Sequence, residues 1–305
     1  MDGSGDSLML FIGGLIFSLL CVFGSFVASG GALAPLIASM PFELLTILGA
    51  AAGIFIMSNS KDALKQLLSD LKLTLGGPRH NKDSYLELLV TLFRFMRLAQ
   101  ARGNMALEEH VENPGESSIF ALAPRVRDDV ETRNMICDYL RLVSLNMEEP
   151  YQLDEVMARE LKKNLSEKLH ISESLQSIAD ALPALGIVAA VLGVIKTMAS
   201  ISKPPAILGE MIAGALVGTF LGVLLSYGVV APLAARMKDV IMQDGRYQDI
   251  IRIVFVAHLQ GSPPQVSAEI GRKDIPHAFM PSFNELDVVL AESSNPQQAT
   301  QGAAA

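Results

Sequence analysis

The sequence has no tryptophan and only two cysteines among 305 residues, and only 18% of its residues are charged. Each shortage excludes something. Cys21 and Cys137 stand far apart, so no disulfide framework is expected, which suits a reducing cytoplasm. A net charge of −8 is the wrong sign for a nucleic-acid partner, which calls for clustered basic charge. His80, His110, His170, His258 and His277 show no metal-ligand spacing, and P-loop, HExxH and GxSxG patterns are missing. No enzyme activity, metal or cofactor is therefore expected. The opening "MDGSGDSLML" carries two acids and no base, the wrong flank for a cleaved signal peptide, so the first apolar run reads as a retained span. Without tryptophan, the aromatic belt of a membrane protein is thin.

What is present is apolar length. Half of the residues are hydrophobic, and the mean hydropathy is +0.36. Four runs are long enough to cross a bilayer: about 8–28, 41–58, 181–201 and 206–230. In the second, Pro41 and Glu43 fit a helix's first turn, where a missing N–H costs nothing and an acid suits the dipole. Residues 29–40 then form an outer connection. All but Lys196 and Lys203 of the 24 lysines and arginines lie in 58–177 or after 232. The positive-inside rule puts both polar regions, and the N-terminus, in the cytoplasm.

The fold expected is an all-α integral membrane protein: four transmembrane helices, a large helical cytoplasmic insert, and last two spans that extend into the cytoplasm. Its parts are an N-terminal transmembrane pair (1–58), a cytoplasmic helical domain (59–177), a second transmembrane pair (178–232) and a cytoplasmic C-terminal helix and tail (233–305). Helical spacing is clear over "KDALKQLLSDLKLTL", over "SYLELLVTLFRFMRLAQAR" up to Gly103, and over 126–147. "NPGES" is a turn. Helical pattern runs from 153 to 201 with Pro183 its one strong breaker, and the fourth span continues past Pro232 to about 259. The end, "NPQQATQGAAA", reads as disordered. Gly214, Gly218 and Gly222, Gly186 and Gly193, and Gly49 and Gly53 offer small faces for close helix contact.

Spans one, three and four carry no ionisable group at mid-depth, where an ion carrier working alone would bury one. Their polar atoms are hydroxyls: Ser18, Ser25, Thr219 and Ser226. Thr219 either bonds to its own backbone one turn back or lines a wet path. Asp180 is either an interfacial acid or a participant in ion exit. The chain reads as one part of an ion machine whose charge carrier comes from another protein.

"DALPALGIVAAVLGVIKTM" (180–198), "LVGTFLGVLLSYGVVAPLA" (216–234), "ENPGESSIF" (112–120) and "PFELLTILGAAAGIF" (41–55) resemble the MotA stator proteins of the flagellar motor, within the MotA/TolQ/ExbB proton channel family. The resemblance covers about residues 8–260. TolQ and ExbB energisers share the last two spans but typically have three in all. The resemblance implies a multi-pass inner-membrane subunit, assembled as a pentamer around MotB. That single-span, peptidoglycan-binding partner supplies the ion-carrying aspartate, and the ring pushes the rotor protein FliG. It implies torque coupling at Pro183 and Pro232, one at the inner end of each of the last two spans, where each bends its helix. It matches Glu108 to a rotor-facing acid and, more weakly, Glu160. The family's rotor-facing base falls at Gln100 here, leaving Arg102 or Arg97 to substitute. Sodium-type relatives carry a threonine where Ala190 stands, so the ion implied is H+, with Na+ the alternative. Two rival readings are a TolQ/ExbB-type energiser and a structural membrane scaffold.

Overall fold

The computed structural model describes residues 3–145 and 149–293. Among these every regular element is helical. In chain order they are α1 (Gly3–Ala28), α2 (Ala34–Ser58), α3 (Lys61–Gly76), α4 (Lys82–Arg102), α5 (Glu108–Glu112), α6 (Ser118–Ala121), α7 (Pro124–Asp128), α8 (Val130–Ser144), α9 (Pro150–Met198), α10 (Pro205–Leu225), α11 (Ala231–Leu259), α12 (Pro264–Asp274) and α13 (Phe283–Ser293). A 3₁₀ turn, Asn104–Leu107, precedes α5, and a π turn, Ser226–Val230, joins α10 to α11. Among the described residues, four stretches are long and apolar enough to cross a membrane: Met9–Ala28, Ala34–Ser58, and one each within Pro150–Met198 and Pro205–Leu259.

The chain divides into two compact units, one of Met1–Pro78 with Ser166–Ile241, the other of Arg79–Leu165 with Met242–Ala305. The first holds the spans. Its core comprises Ile47 and Ala51 of α2, Leu182 and Ala189 of α9, and Val217 and Leu221 of α10. A second cluster, Ala63, Ile171 and Met237, ties α3 to α9 and α11. Span α1 buries little, although Phe23 meets Phe220 edge to face at 5.8 Å.

The small residues set how closely the spans approach. A Cβ on Gly222 would stand 2.7 Å from the Leu182 carbonyl oxygen and 2.8 Å from Gly186 Cα. One on Gly193 would stand 2.7 Å from Ala215 Cβ. Thus α9 and α10 touch backbone to backbone, as helices without a hydrophobic drive between them must if dispersion is to hold them. Gly49 and Gly53, expected to act likewise, have nothing within 4 Å in this chain.

The second unit packs around a core of its own. Helix α4 starts at a capping box: Asn81 Oδ1 accepts from the Ser84 N–H at 3.0 Å, and the Asn81 N–H donates to Ser84 Oγ at 3.4 Å. It ends at Gly103, whose φ of +80° suits glycine alone. Leu88, Leu92, Phe95 and Phe120 pack with Ile136 and Leu140 of α8, Leu153 and Met157 of α9, and Ile250 and Val254 of α11.

Three expectations need correcting. Helix α2 begins at Ala34, with Pro35 in its first turn; Pro41 lies inside it, and Glu43 with it. Residues 126–147 are not one helix, because Asp129 leaves helical geometry to cap α8, accepting from Thr132 N–H at 3.3 Å and Thr132 Oγ at 2.6 Å; residues 146 and 147 lie outside the described set. The region after Pro263 folds into α12 and α13, which place Ala268, Leu286 and Leu290 on the core. The expected disorder of the extremity concerns residues outside the described set.

Gly222→Ala forces α9 and α10 apart or strains them, at about 1–3 kcal/mol for overpacking. The purified protein is expected to melt at lower temperature and to accumulate less in membranes. Unchanged melting would show that the two backbones do not meet at this point.

Candidate functional site

The spanning unit gathers the chemistry that the sequence assigned to the membrane. Pro183 sits inside α9, so the Ala179 carbonyl one turn earlier loses its helical donor. That carbonyl is not orphaned: Ser226 Oγ donates to it at 2.6 Å. Ser226 is fully buried and opens the π turn, in which the Ala231 N–H returns to the Ser226 carbonyl. Pro232 follows directly and is exposed, while Pro183 is half-buried. The distortions at the two prolines therefore meet at one serine. Sequence reasoning had counted Ser226 only among the hydroxyls of the fourth span. The usable signal was the freed carbonyl that Pro183 predicts, beside an apolar span whose few hydroxyls, Thr219 and Ser226, are the donors within reach of sequence reading.

Ala190 and Thr219 lie on the face where α9 meets α10. The space a Cβ on Gly218 would need is bounded by Ala189 Cβ at 3.0 Å and Ala190 N at 3.1 Å. The corresponding space at Gly186, one turn earlier, is bounded by Thr219 Cα at 3.3 Å. Both Ala190 and Thr219 are half-buried. The hydroxyls of Thr46, Thr91 and Thr197 each donate to the carbonyl one turn back, at 3.0, 2.7 and 2.9 Å. Thr219 does not, and among the described residues its hydroxyl has no partner. Of its two readings, the backbone bond is the one not formed. Asp180 is exposed and accepts from Gln176 Nε2 at 2.9 Å on its own helix. Ten residues of helix, about 15 Å, separate it from Ala190.

Glu43 does not lie at a helix start. Its Oε2 would be 2.8 Å from a Cβ on Gly218, so the carboxylate rests on the α10 backbone. It lines a cavity of about 480 Å³ together with Ser39, Lys196, Thr197 and Glu210. The misreading arose because Pro35 and Pro41 both fit a first turn and only one occupies it.

The second unit carries the charges assigned to the rotor. Arg97 and Arg102 are exposed toward the end of α4, as is Gln100. The Arg97 guanidinium lies over the Phe93 ring at 5.6 Å. Glu108 opens α5 across the Gly103 turn and is exposed; no ion pair joins it to Arg102 or Arg97 among the described residues. Beside it Glu112 is engaged by Arg141 at 2.9 Å. Glu160 stands apart from this group, accepting the Tyr139 hydroxyl. Burial and that bond push the Tyr139 phenol well above its usual range. His110, close to Glu109, is held below its ordinary pKa by burial, and its Nδ1 lies 2.9 Å from Ser117 Oγ. The "NPGES" turn thus positions α5 through Ser117, which also caps α6.

Comparison with known proteins bears on the family and the fold. Residues 12–103 match the family model "Motility protein A N-terminal", and residues 128–244 match "MotA/TolQ/ExbB proton channel family". Motility protein A of Escherichia coli (strain K12) is 37% identical over 292 residues, 96% of this chain and 98% of that one. The structure of C. jejuni MotAB superposes with a TM-score of 0.70 at 19% identity, covering 88% of this chain and 96% of that one. The flagellar MotAB stator complex from Bacillus subtilis gives 0.67 at 18% identity, covering 91% and 98%. With an architecture of four spans and a helical insert, and a relative matched at more than a third of positions along nearly its whole length, the chain belongs to the motility protein A family.

Proposed function

We propose that this chain is the ion-conducting stator subunit of a flagellar motor, which with a MotB-type partner lets protons cross the inner membrane and turns their flow into torque on the rotor. The near full-length match to motility protein A carries the reading. The four spans favour it over TolQ- and ExbB-type energisers.

The geometry supports a division of labour. The α9–α10 pair presents alanine, glycine and the unpartnered Thr219 hydroxyl at its contact, and no carboxylate at that depth on either helix. A smooth wall of this kind needs a carboxylate from elsewhere to carry the ion, which a single-span partner supplies. Several copies around that partner, a pentamer in this reading, would enclose the path. A proton needs only a carboxylate and a chain of water, whereas Na+ must replace its hydration shell with oxygen ligands, and Ala190 provides none. Hence H+ is the translocated ion. The lysines and arginines flanking α2, α9 and α11 support an arrangement with both termini in the cytoplasm. Pro183 and Pro232 then lie at the inner ends of the spans, as flexible points between the ion path and the rotor-facing helices. Exposed Glu108, with Arg97 and Arg102, forms the charged face toward a FliG-type rotor protein. A single exposed pair is worth only about 0–1 kcal/mol, so these charges act together.

Three outcomes follow. Swimming speed should fall with a proton uncoupler and ignore external sodium; speed that tracks sodium would overturn the ion assignment. Pro183→Ala should leave the stator assembled but cut torque at least tenfold; normal torque would remove the flexible point from the account. Glu108→Lys should impair rotation partially and be relieved by charge reversal on the rotor; rotation unaffected by Glu108→Lys would exclude that face.

A further inference from the structure

The proline sites carry an inference beyond the role of either proline. A proline inside a helix frees a carbonyl, and where that carbonyl is buried away from water it must find another donor. Here the freed carbonyl belongs to Ala179, whose residue is fully buried, as is Ser226. Leu182, next to Pro183, is 1% exposed and its own carbonyl is pressed against Gly222. Water therefore has no room at this point, and the Ser226 hydroxyl is what meets Ala179 O, at 2.6 Å.

Ser226 is bound at both of its ends. Its hydroxyl holds α9 at the place where Pro183 weakens it. Its carbonyl receives the Ala231 N–H that closes the π turn before Pro232. A π turn is rare and is found frequently at functional sites. Two weakened helix segments are thus tied through one residue rather than left to bend separately.

We infer that Ser226 is a positioning residue for torque generation, a pin that makes the bends at Pro183 and Pro232 move as one. This rests on the stator reading given above. Displacement of α9 at Pro183 pulls the Ala179 carbonyl, the hydroxyl transmits the pull to Ser226, and the π turn passes it to α11. Without the hydroxyl each helix bends independently, and motion produced in the spans is lost before it reaches α11.

The test is a double-mutant cycle on the purified stator complex, with torque read in single motors. Ser226→Ala should lower the melting temperature by roughly 2–4 °C. In a Pro183→Ala background the new backbone N–H at position 183 satisfies Ala179, so Ser226→Ala should then change nothing. In motors, Ser226→Ala should reduce the torque added per recruited stator at least twofold while the number recruited stays normal. Ser226→Thr, which keeps the hydroxyl, should restore both. If Ser226→Ala does not assemble, Ser226→Cys, a weaker donor of similar size, is read through the same cycle. An equal melting loss in both backgrounds, or a normal torque step per stator with Ser226→Ala, overturns the pin. Normal torque with Pro183→Ala strikes instead at the flexible-point reading, so the two failures are told apart.

Discussion

The spanning unit depends on one close approach, that of the α9 backbone to the α10 backbone at Gly186 and Gly222. Lipid tails are as apolar as leucine, so burying leucine between these helices gains little. What holds them is dispersion between surfaces with no side chains in the way. The contact also sets everything near it. It brings Ser226 within hydrogen-bond reach of Ala179. It leaves Ala190 and Thr219 half-buried at the same face. On the same helix, Gly218 leaves room for the Glu43 carboxylate of α2.

A related constraint explains how prolines are tolerated at the ends of the spans. A helix in lipid must satisfy its own backbone, and each proline breaks that rule once. At Pro183 the repair comes from a neighbour, and just before Pro232 the helix changes pitch through Ser226–Val230. In the proposed function, these are the points at which the helices bend. An α9–α10 contact that carries no ionisable side chain of its own, bending at the prolines as proposed, is suited to respond to a partner's carboxylate beside it.

Much of this was legible in residue order. Four apolar runs, the stop at Gly103, the long helix through Pro183 and the continuation past Pro232 all follow from composition and breakers, which act locally. The failures are cases in which local signals compete or tertiary contacts decide. Pro35 and Pro41 are both permitted helix starters, and packing against α9 and α10 keeps the segment between them helical. Asp129 ends one helix and caps the next without glycine or proline to mark it. Helices α12 and α13 are short, and their apolar residues gain meaning only against Leu89, Ile250 and Val254. Ser226 is invisible to any reading of one helix, because its partner lies 47 residues away. Arg97, Arg102 and Glu108 of the second unit are exposed, whereas Glu160 accepts the Tyr139 hydroxyl, a contact that no spacing rule could supply.

The central claim is that this chain conducts protons and produces torque only together with a partner that brings the carboxylate. The most direct measurement is rotation of tethered cells that lack their own stators, expressing this chain with and without a single-span, peptidoglycan-binding partner that carries an intramembrane aspartate. The account predicts rotation with both proteins, in proportion to the proton-motive force, and none with either alone or with the aspartate replaced by asparagine. Rotation driven by this chain alone, or undiminished after that replacement, would contradict it.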